Sequence, residues 1–224
     1  MKLSSETLAV LKNFVSINAS MEFKTGNKLA TISPTKTVLA KATIKDQIPQ
    51  DFCIHDLNQF LSVHSLDKDC ELDFDSKHVI FKSGKRKTNY RTTSRNVIVT
   101  VPDKELSLPS VDASFSLTAS DLADILKSAS ILQSPNVAIE SDGDKIYVTA
   151  FDANDDAAHV NSTEITDGNG NKFKAVFLTE NLKMMRIMDE HALKHPAEGV
   201  KSHFYMLQEL GYMSISSELE DYYV

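Results

Sequence analysis

The chain has 224 residues, 42% of them apolar, and a formal charge of −7 from 24 Lys plus Arg against 31 Asp plus Glu. That is enough apolar material for one large or two ordinary domains, and the negative balance excludes a protein that grips phosphates over its whole surface. Two cysteines, Cys53 and Cys70, with no C-x-x-C and no histidine cluster at ligand spacing, exclude a disulfide framework and read as reduced thiols in a cytoplasm-like compartment.

In chain order, the first element is a helix over Leu3 to Phe14. A hydroxyl residue precedes its apolar run, as expected where a Ser oxygen satisfies the unpaired amides of a first turn. Leu8, Leu11 and Val15 fall on one side and Lys12 at the flank. Short segments rich in β-formers follow: Met21 to Phe23, Lys28 to Ser33 after a Gly26-Asn27 turn, Thr37 to Ile44, and Phe52 to Ile54. Asp56 then caps a second helix with Leu57, Phe60 and Leu61 on its apolar side and Asn58, Gln59 and Ser62 facing away. Cys70 to Phe74 and Val79 to Lys82 alternate as strands. From Lys82 to Arg95 there are six basic residues (Lys82, Lys85, Arg86, Lys87, Arg91, Arg95) and no acid, around a hairpin tip at Ser83-Gly84-Lys85. That window is either a solvated hairpin or a basic edge near nucleic acid or a partner protein. Val97 to Val101 closes the first half, and the proline-bracketed stretch Pro102 to Ser110 reads as a connector, with Leu106 and Leu108 available to staple it to a core.

The plan then recurs. Leu117 to Ser128 resembles Leu3 to Phe14, with a capping-box spacing at Thr118 and Asp121 and an apolar side made of Leu122, Ile125, Leu126 and Ala129, opposite Lys127. Strands follow at Asn136 to Ser141, Lys145 to Phe151, His159 to Ile165 and Phe173 to Leu178, then a helix opening at Thr179 that carries Lys183 and Arg186, and two closing strands at Lys201 to Leu207 and Tyr212 to Ser216. The chain is therefore read as α+β and built twice, as domains 1–109 and 110–224.

Motifs that would carry chemistry do not assemble. There is no Gly-x-Ser-x-Gly elbow and no glycine loop at Walker or dinucleotide spacing. Asp152-x-Asn154-x-Asp156 starts like a calcium loop, but Ala157 stands where the turn needs Gly and Thr163 where a bidentate Glu is required. His191 and His195 have helical ligand spacing without the intervening Glu, and Pro196 ends the helix. Neither an enzyme nor a bound metal or cofactor is expected. No apolar run approaches the roughly 18 residues of a membrane span, and the start lacks the layout of a secretion signal.

The opening Met1-Lys2-Leu3-Ser4 with Leu11-Lys12-Asn13-Phe14 and Ile17-Asn18, the segment Ile54 to Leu61, and Asn181-Leu182-Lys183-Met184 together resemble the DNA polymerase sliding clamps of T4-like bacteriophages. The match runs in order to about Met184 and fades beyond Met185. It implies the DNA-clamp fold, two similar domains with helices on curved antiparallel sheets, closed as a homotrimeric ring around double-stranded DNA without sequence specificity. Lys2, Lys12, Lys127, Lys183 and Arg186 are then the DNA-facing cations, and Lys85, Arg86, Lys87 and Arg91 candidates for contact with DNA or the clamp loader. Leu106, Leu108, Pro109 and Tyr223 are candidates for the pocket that takes partner tail peptides. The implied partners are the replicative polymerase, an ATPase clamp loader and, in late transcription, a coactivator and a sigma-like factor, in the cytoplasm of the infected host. The competing reading is an α+β module that binds peptides or proteins without encircling DNA.

Overall fold

The computed structural model describes residues 1–67, 69–103, 114–116, 119–182, 201–208, 211–216 and 221–223. The chain divides into two compact units, Met1–Lys104 with His195–Ser202, and Glu105–Lys194 with His203–Val224.

In the first unit, α1 (Ser5–Ile17) starts where Ser4 Oγ accepts from the Thr7 amide at 3.2 Å, and Ser4 is itself held by Asp46 at 2.7 Å. Its buried stripe is Thr7, Val10, Leu11, Asn13, Phe14 and Ile17. Leu8 and Val15, expected in that stripe, are half-buried at its flank, because the helix turns Thr7 inward as a core position. α1 packs on β2 and β3 of an antiparallel sheet ordered β4-β1-β2-β3, formed by β1 (Met21–Phe23), β2 (Gly26–Ile32), β3 (Val38–Ile48) and β4 (Phe52–Ile54). Met21 pairs with Ile54, Phe23 with Phe52, and Leu29 with Ala42.

α2 (Leu57–His64) begins at the expected cap, Asp56, and buries Leu57, Phe60 and His64. Leu61 is only half-buried; its expected place is taken by His64 one turn beyond Phe60. Three strands follow, β5 (Glu71–Phe74), β6 (His78–Ser83) and β7 (Arg86–Arg91), in that order across a small sheet. Ser83 pairs with Arg86 across a two-residue tip, and Gly84 supplies the positive φ of 54° that such a tip needs at its first position. Phe60 lies 5.0 Å from Phe81 and 5.6 Å from Tyr90 between ring centroids, while Phe23 and Phe52 stack at 4.5 Å, so one aromatic cluster joins α2 to both sheets of this unit. Fully burying each such ring stabilises by about 1.5–3 kcal/mol. Val97 to Val101, expected to close the half, starts at the last residue of a single 3-10 turn (Arg95–Val97) and is not a strand. Instead Asn18, buried at the end of α1, donates to Ile32 O at 2.9 Å and to Val99 O at 3.4 Å.

The second unit opens with β8 (Ser114–Ser116) and α3 (Ala119–Ile131), followed by β9 (Asn136–Asp142), β10 (Lys145–Phe151), β11 (Asn161–Asp167) and β12 (Lys172–Leu178). Their order, β12-β9-β10-β11, repeats β4-β1-β2-β3 strand for strand. α3 lies on β10 and β11. A further helix opens at Thr179, whose amide donates to Pro135 O at 2.9 Å and whose hydroxyl donates to Ser134 O at 2.8 Å. β13 (Lys201–Gln208), β14 (Gly211–Ser216) and β15 (Asp221–Tyr223) form a run ordered β13-β14-β15-β8. At one end of the four-stranded sheet two turns interlock: Gly168 N donates to Asp144 O at 2.7 Å and Gly170 N to Gly143 O at 2.9 Å.

The repeat seen in the sequence is thus a repeat of architecture, in a register one residue away from the letter-by-letter match. Pairing Leu3 with Leu117 would set buried Val10 against exposed Asp124. A shift of one residue sets Thr7 on Leu122, Val10 on Ile125, Leu11 on Leu126 and Phe14 on Ala129, each pair buried. In that register Lys12 falls on Lys127.

Candidate nucleic-acid interface

Burial of one stripe on each helix leaves the other facing solvent. On α1 the exposed positions are Ser5, Lys12 and Ser16; on α2 they include Asn58, Gln59 and Ser62; on α3 they include Ser120, Asp121, Asp124, Lys127, Ser130 and Ile131. Lys12 and Lys127, equivalent in the two units, form no salt bridge among the described residues. The three faces carry mostly uncharged polar groups, with one cation on α1 and, on α3, one cation and two acids.

The other basic residues are engaged to different degrees. Lys2 lies 3.7 Å from Asp69 and 3.9 Å from Glu71, both highly exposed. In the basic window Lys82 pairs with Asp73 at 2.7 Å and Arg86 with Asp67 at 3.1 Å. Arg95 pairs with Glu22 at 2.7 Å and with Asp103 at 3.2 Å, and Lys24 reaches the same Asp103 oxygen at 2.7 Å. Glu22 beside it, and then Asp103, raise the Arg95 pKa, and the Lys24 bond lowers that of Asp103. Half of the basic window is therefore spent on internal pairs, and Arg95 ties the start of the connector to β1. Lys85, Lys87 and Arg91 stay exposed with no salt bridge among the described residues. Lys87 and Arg91 alternate with Thr88 and Tyr90 along β7, so they lie on the sheet face opposite the one that packs against Phe60 and His64. The small sheet therefore separates them from the exposed side of α2.

Lys183, Arg186, Leu106, Leu108 and Pro109 lie outside the described residues. Tyr223 falls in β15, where its backbone is paired with Ser114 and Ser214. Two residues near the helix faces lie outside the candidates named from the sequence, although the first was within reach of it. Asp124 shares the exposed side of α3 with Lys127, a neighbour visible from helical spacing alone. His64 lies beyond the apolar stripe that residue type assigns to α2. It is 7% exposed, its Nε2 has no hydrogen-bond partner among the described residues, and burial, with Lys12 adding to it, lowers its pKa. Among the described residues no cluster of His, Cys, Asp and Glu could hold a metal ion, and no helix is long and apolar enough to cross a membrane.

Helices lying on antiparallel sheets, with the same strand order in two successive units, are the plan of the DNA clamps. The chain superposes on PCNA from Thermococcus kodakaraensis with a TM-score of 0.61 at 14% identity, over 100% of this chain and 97% of that one, so the fold is the DNA-clamp fold. The family described as DNA polymerase processivity factor matches residues 4–100. The chain is 32% identical to the sliding clamp of Enterobacteria phage T4 and 31% identical to that of Escherichia phage RB69, each over 189 residues, covering 82% of this chain and 83% of the relative. It belongs to the phage sliding clamp family, and is a processivity factor for a phage DNA polymerase.

Proposed function

We propose that three copies of the chain close head to tail into a ring around duplex DNA, with the helices of domains 1–109 and 110–224 facing the phosphates. The observation that carries this reading is the placement of Lys12 and Lys127, unpaired among the described residues, at equivalent exposed positions of α1 and α3. By resemblance, Lys2, Lys183 and Arg186 complete the DNA-facing set. A clamp has to stay on DNA without being held at any sequence, so linkage replaces affinity and contacts with phosphates stay few. One lysine per described face, on a chain of net charge −7, suits that requirement.

Ring closure needs open sheet edges. Among the described residues β7 ends the small sheet of the first unit and β11 ends the four-stranded sheet of the second. β7 carries Arg86, Lys87 and Arg91, whereas β11 carries Glu164 and Asp167, both reached by Lys145 from β10. Pairing the basic edge of one copy with the acidic edge of the next covers both, and a rotation that closes gives a cyclic assembly. In this reading Lys85, Arg86, Lys87 and Arg91 serve the neighbouring copy or the ATP-driven loader more readily than DNA.

The polymerase benefits through effective concentration. A tail peptide held near Leu106, Leu108, Pro109 and Tyr223 of a ring that cannot leave its template keeps the enzyme at roughly millimolar local concentration, even if the peptide alone binds weakly. The same surface extends the role to late transcription, through a coactivator and a sigma-like factor in the host cytoplasm. The chain itself catalyses nothing in this scheme.

The test combines mass and topology. Light scattering is expected to give about three times 24.9 kDa, and clamp loaded on circular DNA is expected to survive a high-salt wash that strips it once the circle is cut. A monomeric mass together with equal retention on circular and linear DNA would overturn the ring.

A further inference from the structure

The exposed helix faces of the two units differ in charge. In the first unit Glu6 has a cation partner, and Asp56, which keeps its charge, is bound in the cap at the start of α2. Glu6 lies 3.5 Å from Lys45 and accepts from Ser5 Oγ, and Asp56 caps α2 by accepting the Gln59 amide at 2.9 Å. The exposed hydroxyls of Ser16 on α1 and Ser62 on α2 are engaged as well. Ser16 Oγ donates to Asn13 O at 2.6 Å and Ser62 Oγ to Asn58 O at 2.8 Å. A hydroxyl has one hydrogen, so these two offer a phosphate nothing but lone pairs. What remains to meet an anion in the first unit is the Lys12 ammonium and the exposed side-chain amides of Asn58 and Gln59.

α3 is different. Lys127 shares its exposed side with Asp124 three residues before it, a spacing that brings Cβ atoms to about 5–6 Å. A phosphate drawn to Lys127 meets a carboxylate at nearly the same distance, and in a solvated setting the two effects largely cancel.

We infer that the phosphate contact is carried by the α1–α2 face of the first unit, through Lys12 with Asn58 and Gln59, and that Asp124 holds the pull of Lys127 near zero. This rests on the reading that the helix faces meet DNA, and it adds a division of labour: one unit attracts the backbone and the other is trimmed to neutrality. Fewer net attractive sites lower the barrier to moving along the duplex while the contact still centres on one helix pair.

The test is a salt titration of the full-length protein against a short fluorescein-labelled duplex, read by anisotropy, with circular dichroism confirming that each variant keeps its helices. K12A is expected to weaken binding about 5–10-fold at low salt and to flatten the plot of log K against log salt by about 0.9 for each phosphate no longer neutralised. K127A alone is expected to cost less than about twofold, and D124N to tighten binding about threefold, in line with removal of one surface charge. In the D124N background K127A then becomes as costly as K12A, a non-additivity that a merely structural role would not produce. D144N, in the distant β9–β10 turn, serves as a control and leaves binding unchanged. Equal losses for K12A and K127A in the otherwise unaltered chain, or no gain with D124N, would overturn the inference while leaving the helix-face reading intact. No effect from any of these variants would overturn both.

Discussion

Asn18 provides the sharpest test of how the first unit is held. It caps the C-terminus of α1, is 6% exposed, and uses both ends of its amide: Oδ1 accepts from Ser20 N at 2.9 Å and Ser20 Oγ at 3.1 Å, while Nδ2 donates to Ile32 O at 2.9 Å and to Val99 O at 3.4 Å. Asn18→Ala leaves the Ser20 amide and the Ile32 carbonyl buried without those partners. An orphaned buried group costs about 1–3 kcal/mol, so the two together predict a loss of about 2–6 kcal/mol. Asn18→Asp keeps the acceptor and loses the donor, and at neutral pH it turns a carboxylate lone pair toward the Ile32 carbonyl. It is expected to be no more stable than Asn18→Ala at pH 7 and to recover in part as the carboxyl protonates and can donate again. The assay is urea unfolding at fixed protein concentration, with mass-resolved hydrogen exchange over β1 and β2 to localise the effect. A loss under about 1 kcal/mol for Asn18→Ala, with unchanged exchange, would refute the claim that this amide anchors α1, β2 and the stretch at Val99 together.

Phe60→Ala removes a fully buried ring from the centre of the aromatic cluster and is expected to cost about 3–5 kcal/mol, read as a fall in urea midpoint at constant slope. Gly168→Ala would place a Cβ 2.4 Å from Gly143 O, a backbone atom that cannot step aside, so a loss of about 1–3 kcal/mol is expected, with faster exchange at the Gly170 amide. His64 has its pKa lowered by burial, with Lys12 as the lesser cause. The unfolded chain therefore takes up the proton first, so stability is full above about 6.5 and falls as pH drops from there through the folded value; His64→Leu is expected to flatten that limb of a pH–stability curve. Glu6 is held down to about 2, first by its own backbone amide and then by Ser4 and Lys45, against burial. Its contribution is complete above about 4.5 and is lost toward pH 2, so Glu6→Gln is expected to reduce acid destabilisation across that window.

The caps, both first-unit helices and the repeated plan were legible because each rests on local chemistry: Ser4 and Asp56 cap as their side chains dictate, and Gly84 turns where a two-residue tip needs it. The phase of α1 was not legible. Thr7 is polar by residue type yet fully buried, and counting apolar letters shifted the stripe onto Leu8 and Val15. The same weakness moved the repeat by one residue, since Leu8 and Leu122 match as letters but not as core positions. β3 runs on to Ile48 through Lys45, Asp46 and Gln47, which composition reads as loop; they span a register shift, beyond which Ile48 pairs with Gly26 of β2. At the interface Lys12 and Lys127 could be found from helical spacing. The pairing that occupies Lys82, Arg86 and Arg95 could not, because Asp73, Asp67, Glu22 and Asp103 come from elsewhere in the sequence.

The backbone of Met1 exchanges two hydrogen bonds with Leu72, adding a rung beside β5 much as β4 does beside β1. Those partners are 71 residues apart in sequence. At about 5–20 residues per second, a ribosome finishes Leu72 roughly 4–14 s after Met1, so α1 and the first hairpin can collapse while the segment before them still waits for its mate. The timing of closure in the first unit is therefore set by delivery of the small sheet. Through that interval, nascent copies on one message hold matching unpaired backbone, and exchange of this short segment between neighbours is the misassembly that translation rate would govern.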